Sequence, residues 1–222
     1  MQHRIPLFFA LVSLLISGIA CGSMAQPFSI TATPQPIEKH LSTFSPIEGT
    51  DYLIANISGN PEDRSDSSAF SWMERGYSGY SGYEIYNYIF FGKETETFNR
   101  LLPTNEYVVL QIMGFPSGTP TDKPEDFEPI LWWLFILAKS DTDQNGILNY
   151  RDKLTIGVTD VGGSNPTEVI PDVDSLLGHT LKNDHTLFVI YRSLEKNYVA
   201  KIDLPGRQVL STNEIDLGAD VK

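Results

Sequence analysis

The sequence predicts a mainly β protein built of antiparallel meander sheets, and three observations predict it. From residue 83 onward, short runs rich in aromatic and β-branched residues recur, such as Tyr83–Phe91 and Thr186–Arg192. Compact polar or Gly/Pro turns separate them at near-hairpin spacing, as at Lys182-Asn-Asp and Pro205-Gly206. Apolar residues make up 41% of the 222 residues, enough to bury a core. A β-sandwich is the alternative arrangement of the same strands.

The elements follow in order. Asp51–Ile57 is the first strand, and the charged, polar stretch 60–68 reads as a loop. Tyr83–Phe91 and Thr97–Leu102 form a strand pair around Gly92-Lys-Glu-Thr, closed by Pro103. Glu106–Met113 is another strand. Residues 114–129 hold four prolines and read as a long irregular loop. Leu131–Leu137 is short and continuously apolar, which predicts a strand buried on both faces, with a helix as the alternative. Alternation puts Trp132 and Trp133 on opposite faces of it, as packing residues. Lys153–Thr159, Thr167–Ile170, Ser175–Leu181, Thr186–Arg192, Tyr198–Asp203 and Gln208–Ile215 complete the set, the last four as an antiparallel meander.

A loose repeat runs through these strands. Strand, polar turn and strand recur at Tyr83–Pro103, Leu154–Pro171 and Tyr198–Ile215. The segment Ile156-Gly-Val-Thr-Asp-Val-Gly-Gly-Ser-Asn-Pro-Thr-Glu-Val-Ile-Pro171 resembles the blade hairpin of TolB-like β-propellers. That resemblance implies four-stranded blades over residues 83–215. About 130 residues supply two or three blades, whereas closed propellers usually have at least four. Blade-like sheets packed on one another, without a closed ring, are therefore expected.

The strongest chemical signal is Asp141-Thr-Asp143-Gln-Asn145-Gly146-Ile147-Leu148-Asn149-Tyr-Arg-Asp152. Side-chain oxygens at alternate positions converge on one point, and a hard cation such as Ca²⁺ takes six to eight oxygens. Gly146 permits the positive φ that turns the chain round the ion. The segment resembles the EF-hand or dockerin calcium loop. The resemblance implies Asp141, Asp143, Asn145, the Ile147 carbonyl, Asn149 and Asp152 as ligands, with Leu148 anchoring the loop to the core. Asp152 stands where EF-hands prefer Glu, and strands rather than helices flank the loop. A plain solvated turn is the competing reading.

Formal charge is −12, from 16 basic and 28 acidic residues. Such a surface repels phosphates and excludes nucleic acid as a partner. His3 and Arg4, then the apolar Ile5–Ala20, then small residues have the layout of a secretory signal peptide over 1–25. Ser17-Gly-Ile-Ala-Cys21 resembles a bacterial lipobox, which implies a lipid anchor on Cys21, with Gly22 favouring the outer membrane or cell surface. Cleavage after Ser23-Met-Ala25 is the alternative and gives a soluble periplasmic or secreted protein. Cys21 is the chain's single cysteine, so no disulfide is available. The Pro/Thr/Ser-rich stretch 26–46 reads as a tether, with the β-rich domain at 47–222. No Gly-x-Ser-x-Gly elbow is present and the histidines are scattered. The reading is an exported, non-enzymatic calcium-binding protein with a structural or interaction role. A hydrolase using the 114–129 loop as part of a cleft is the alternative.

Overall fold

Thirteen strands, and no helix, organise the described residues of the computed structural model, which are 38–59, 84–116 and 127–218. They form three antiparallel meander sheets.

The first sheet holds β1 (Lys39–Leu41), β2 (Ser45–Pro46), β3 (Tyr52–Gly59), β4 (Ile85–Gly92) and β5 (Thr97–Arg100). Both β1 and β2 pair with the same edge of β3, so they act as one interrupted strand and the sheet is four strands wide. The middle sheet runs β6 (Val108–Phe115), β7 (Trp132–Ala138), β8 (Leu154–Asp160), β9 (Thr167–Val173). The third runs β10 (Ser175–Asn183), β11 (Thr186–Ser193), β12 (Lys196–Asp203), β13 (Gln208–Glu214). The three sheets resemble propeller blades and do not close into a propeller. The loose repeat of the sequence falls on the third and fourth strands of each sheet, β4–β5, β8–β9 and β12–β13.

Two cores hold the sheets together, one on each face of the middle sheet. Alternation along β7 sends Leu134, Ile136 and Ala138 into a cluster with Leu187, Val189 and Ile202 of the third sheet. Trp133, Phe135 and Leu137 point the other way, against Ile54, Tyr88 and Phe90 of the first sheet. This is why residues 131–137 read as a continuous apolar run: the strand is covered twice, and the helical alternative falls. Burying each such side chain stabilises by about 1.5–3 kcal/mol. The indoles satisfy their N–H groups differently. Trp133 donates to the Val161 carbonyl (3.0 Å) and Trp132 to the Asp184 carbonyl (3.0 Å). On β8, a Cβ at Gly157 would lie 2.2 Å from the Phe135 ring, so glycine there is what lets the ring lie flat on the sheet.

The sheet starts earlier than composition indicates. Residues 26–46 read as a tether, yet β1 and β2 lie within that stretch, and Ser42 N donates to the Asn56 carbonyl (2.8 Å). A ladder to a distant strand overrides Pro/Thr/Ser content, which carries no information about long-range pairing. Strand β9 likewise continues through Pro171 to Val173. The expected signal segment and Cys21 lie outside the described residues, while Tyr86 and Tyr88 are buried in β4.

Candidate metal centre

The loop 139–153 connects β7 to β8, the two central strands of the middle sheet. Its ends are fixed by the ladder, with Ala138 opposite Leu154, so the loop is a long hairpin tip on a rigid base. Leu148 packs against the core between the middle and third sheets, as the sequence led one to expect. Gly146 has φ +82° with open space around it, and that φ is the conformation the turn requires.

Three of the sequence-predicted residues come together. One carboxylate oxygen each from Asp141, Asp143 and Asp152 lie within 4.8 Å of one another. Oxygens bound to one calcium at 2.3–2.6 Å are at most about 5 Å apart, so this spacing suits a shared cation. The cluster could hold a metal ion. Asp143 is exposed at the loop surface, whereas Asp152 is buried, with 1% of its surface accessible.

Asp152 is the loop's internal anchor. Its Oδ1 accepts from Thr142 N (2.6 Å), Thr142 Oγ1 (3.2 Å) and Asp143 N (3.4 Å), and Oδ2 accepts from Asn149 N (2.8 Å). Burial pushes its carboxyl up, but the amides of Asn149, Thr142 and Asp143 and the Thr142 hydroxyl outweigh it. The group sits below the usual carboxylate range and stays ionised.

The other carboxylates shape the turn. Asp141 accepts from Asn145 N (3.0 Å) and Gly146 N (2.7 Å). Asp143 accepts from Asn145 N (3.1 Å) and Asn145 Nδ2 (2.7 Å). The remaining predicted ligands are engaged locally. Asn145 Oδ1 accepts from Ile147 N (2.8 Å), the Ile147 carbonyl accepts from Asn149 Nδ2 (3.0 Å), and Asn149 Oδ1 accepts from Arg151 N (2.8 Å).

Two contributors escape the sequence reading. Thr142 Oγ1 donates to Asp152 and accepts from Lys153 N (2.8 Å), stapling the loop's two ends. Tyr150 donates to the Leu110 carbonyl (2.9 Å), at a bulge in β6. The hydroxyl between two aspartates was a weak signal for the first; nothing local signals the second.

Arg151 and Lys153 flank Asp152 in sequence without pairing with the cluster. Among the described residues no lysine or arginine forms an ion pair with Asp141, Asp143 or Asp152. Lys153, next in sequence, pairs with Asp174 instead.

No protein-family model matches the chain, and no curated relative does. Among solved structures, the β-propeller domain of the Trilobed protease from Pyrococcus furiosus is similar at 10% identity and a TM-score of 0.36. The match covers 81% of this chain and 43% of that one, so the chain spans less than half of its length. The Pyrococcus domain has an open velcro topology.

Proposed function

We propose that the 141–152 loop binds Ca²⁺ through Asp141, Asp143, Asn145, the Ile147 carbonyl, Asn149 and Asp152. The ion braces the middle sheet of an exported protein whose role is structural or interactive rather than catalytic. The observation that carries this reading is the convergence of three carboxylates with which no lysine or arginine of the described residues pairs. An all-oxygen donor set on a hard, divalent scale favours calcium over softer metals. At millimolar external calcium, a dissociation constant on the order of 10⁻⁴ M suffices.

An ion that binds only the native state stabilises it by mass action, here by about 2 kcal/mol at 5 mM calcium. The melting temperature should rise by roughly 4–8 °C between chelator and calcium. An unchanged melting temperature would sink the proposal. The lipid anchor is a separate part of it: Cys21→Ser should move the protein out of the membrane fraction or leave the precursor uncleaved. A free N-terminus at Gln26 by mass spectrometry would refute the anchor and leave the calcium site untouched.

A further inference from the structure

The β7–β8 loop holds the chain's single Asn-Gly pair, Asn145-Gly146. Both residues are exposed, and a Cβ added at Gly146 would meet nothing within 4 Å. An asparagine followed by glycine is the pair most open to attack by the next backbone nitrogen on the side-chain carbonyl. Glycine has no Cβ to shield that nitrogen, and its backbone follows the five-membered ring as it closes. Asn149 is a control built into the same loop. Its Oδ1 accepts from the amide two residues ahead, Arg151 N (2.8 Å), as Asn145 Oδ1 accepts from Ile147 N (2.8 Å). Its neighbour, however, is Tyr150, whose hydroxyl is tied to the Leu110 carbonyl (2.9 Å). Asn87 is buried and also precedes a tyrosine.

We propose that Asn145 is a site of spontaneous deamidation whose rate Asp141 restrains. Gly146 N forms a bond to Asn145 Cγ and gives up its proton. The Cγ–Nδ2 bond breaks, and Nδ2 takes up a proton and leaves as ammonia. Solvent water then opens the cyclic imide at either carbonyl, which gives aspartate or isoaspartate. Nothing is oxidised or reduced. Three hydrogen bonds oppose the first step. Gly146 N donates to Asp141 Oδ2 (2.7 Å), so the proton that must leave is held beside a negative charge that disfavours an amide anion. Asn145 Nδ2 donates to Asp143 Oδ2 (2.7 Å), and Ile147 N holds Asn145 Oδ1. Of the three, the Asp141 bond acts on the nucleophile itself and is charge-assisted. Isoaspartate routes the main chain through the former side chain and adds a methylene before Gly146. The Ile147 carbonyl and Asn149 then lose their register with Asp141 and Asp143, so the loop carries its own lifetime.

The test is to age the purified chain in chelator at mildly alkaline pH and map its peptides by mass spectrometry. Asn145 should convert to a mixture of aspartate and isoaspartate ahead of Asn149 and every other asparagine. Asp141→Ala should speed the conversion roughly tenfold, the worth of one charge-assisted hydrogen bond in a loop open to water. Circular dichroism checks that the variant is folded, and Asp141→Asn, with a smaller rise, repeats the test if it is not. An intact Asn145 in the aged parent overturns the proposal. So does conversion led by another asparagine, or an Asp141 variant no faster than the parent. Ageing in calcium concerns the ion proposed above, on which the deamidation itself does not depend. An ion held by Asn145 Oδ1 should slow the conversion further, and equal rates in calcium and chelator would count against that ion and leave the deamidation standing.

Discussion

Strand β8 has an aspartate at each end, and the two make an instructive pair. Asp152 precedes it and gathers the amides of Thr142, Asp143 and Asn149. Asp160 ends it and gathers the amides of Gly162 (3.1 Å) and Ser164 (2.8 Å). Both are carboxylates that shape a turn by accepting orphan backbone donors. They differ in how charge is balanced. Asp160 meets Arg207 of the third sheet at 3.1 Å, and that guanidinium also lies over the Trp132 ring. The same turn is held from the first sheet by Asn99, which donates to the Gly162 carbonyl (3.0 Å) and to Ser164 Oγ (3.0 Å). The β8–β9 turn is thus a joint between three sheets, with its cation built into the chain. The β7–β8 loop repeats the carboxylate device with three aspartates, and no lysine or arginine of the described residues pairs with them. The difference teaches that the second loop is complete as a fold and incomplete as a charge distribution, which is why a metal ion is proposed there.

The largest expected effect comes from removing the buried anchor. Asp152→Ala leaves three backbone amides without their acceptor and should cost about 3 kcal/mol in urea denaturation, even with chelator present. A cost below half a kilocalorie would contradict the role given to Asp152. Asp152→Glu is next. Sequence logic favours it, since Glu is the usual closing residue of such loops, but the pocket is full and its donors are placed for the shorter acid. Overpacking should cost about 2 kcal/mol. A gain in calcium affinity without loss of apo stability would show that the exit turn relaxes freely.

Arg207→Gln tests the other end of the strand. It should cost about 1 kcal/mol, equally with calcium or chelator. A calcium-dependent cost would mean that the two ends are not independent. The smallest effect concerns acid. The Lys153 hydrogen bond, opposed by burial, holds Asp174 below its ordinary range. A depressed carboxyl contributes stability that is present above its unfolded pKa of about 3.8 and lost as pH falls through the lower folded value. Asp174→Asn should therefore cost a little stability near neutrality, screened because the pair is partly exposed, and converge on the parent below pH 4, which flattens the acid limb of a stability–pH profile.

Much of the fold was legible because its signals are local. Leu131–Leu137 carries both of its faces in its own composition, and the repeat at Tyr83, Leu154 and Tyr198 marked the same two strands of every sheet. The loop was legible because its oxygens and Gly146 lie within twelve residues. What stayed hidden depends on partners far along the chain. Strands β1 and β2 exist through β3, and Tyr150 finds its acceptor 40 residues away. Arg207 reaches Asp160 across 47 residues. Asn87, buried in β4, is held by the carbonyls of Leu102 and Thr104 and by Asn105, a network that no spacing rule announces. The burial of Asp152 was also hidden, since sequence cannot distinguish a carboxylate waiting for a metal from one already holding amides.

The most direct test is a calorimetric titration of calcium into the parent chain and into Asp141→Ala. One binding event per chain is predicted for the parent, with a dissociation constant on the order of 10⁻⁴ M. Asp141→Ala should abolish it, while stability in chelator should fall by no more than about 1 kcal/mol, because the freed amides of Asn145 and Gly146 lie in the exposed part of the loop and can turn to water. A silent parent titration, or an Asp141→Ala variant that binds calcium as tightly as the parent, would contradict the account and leave the loop as a turn.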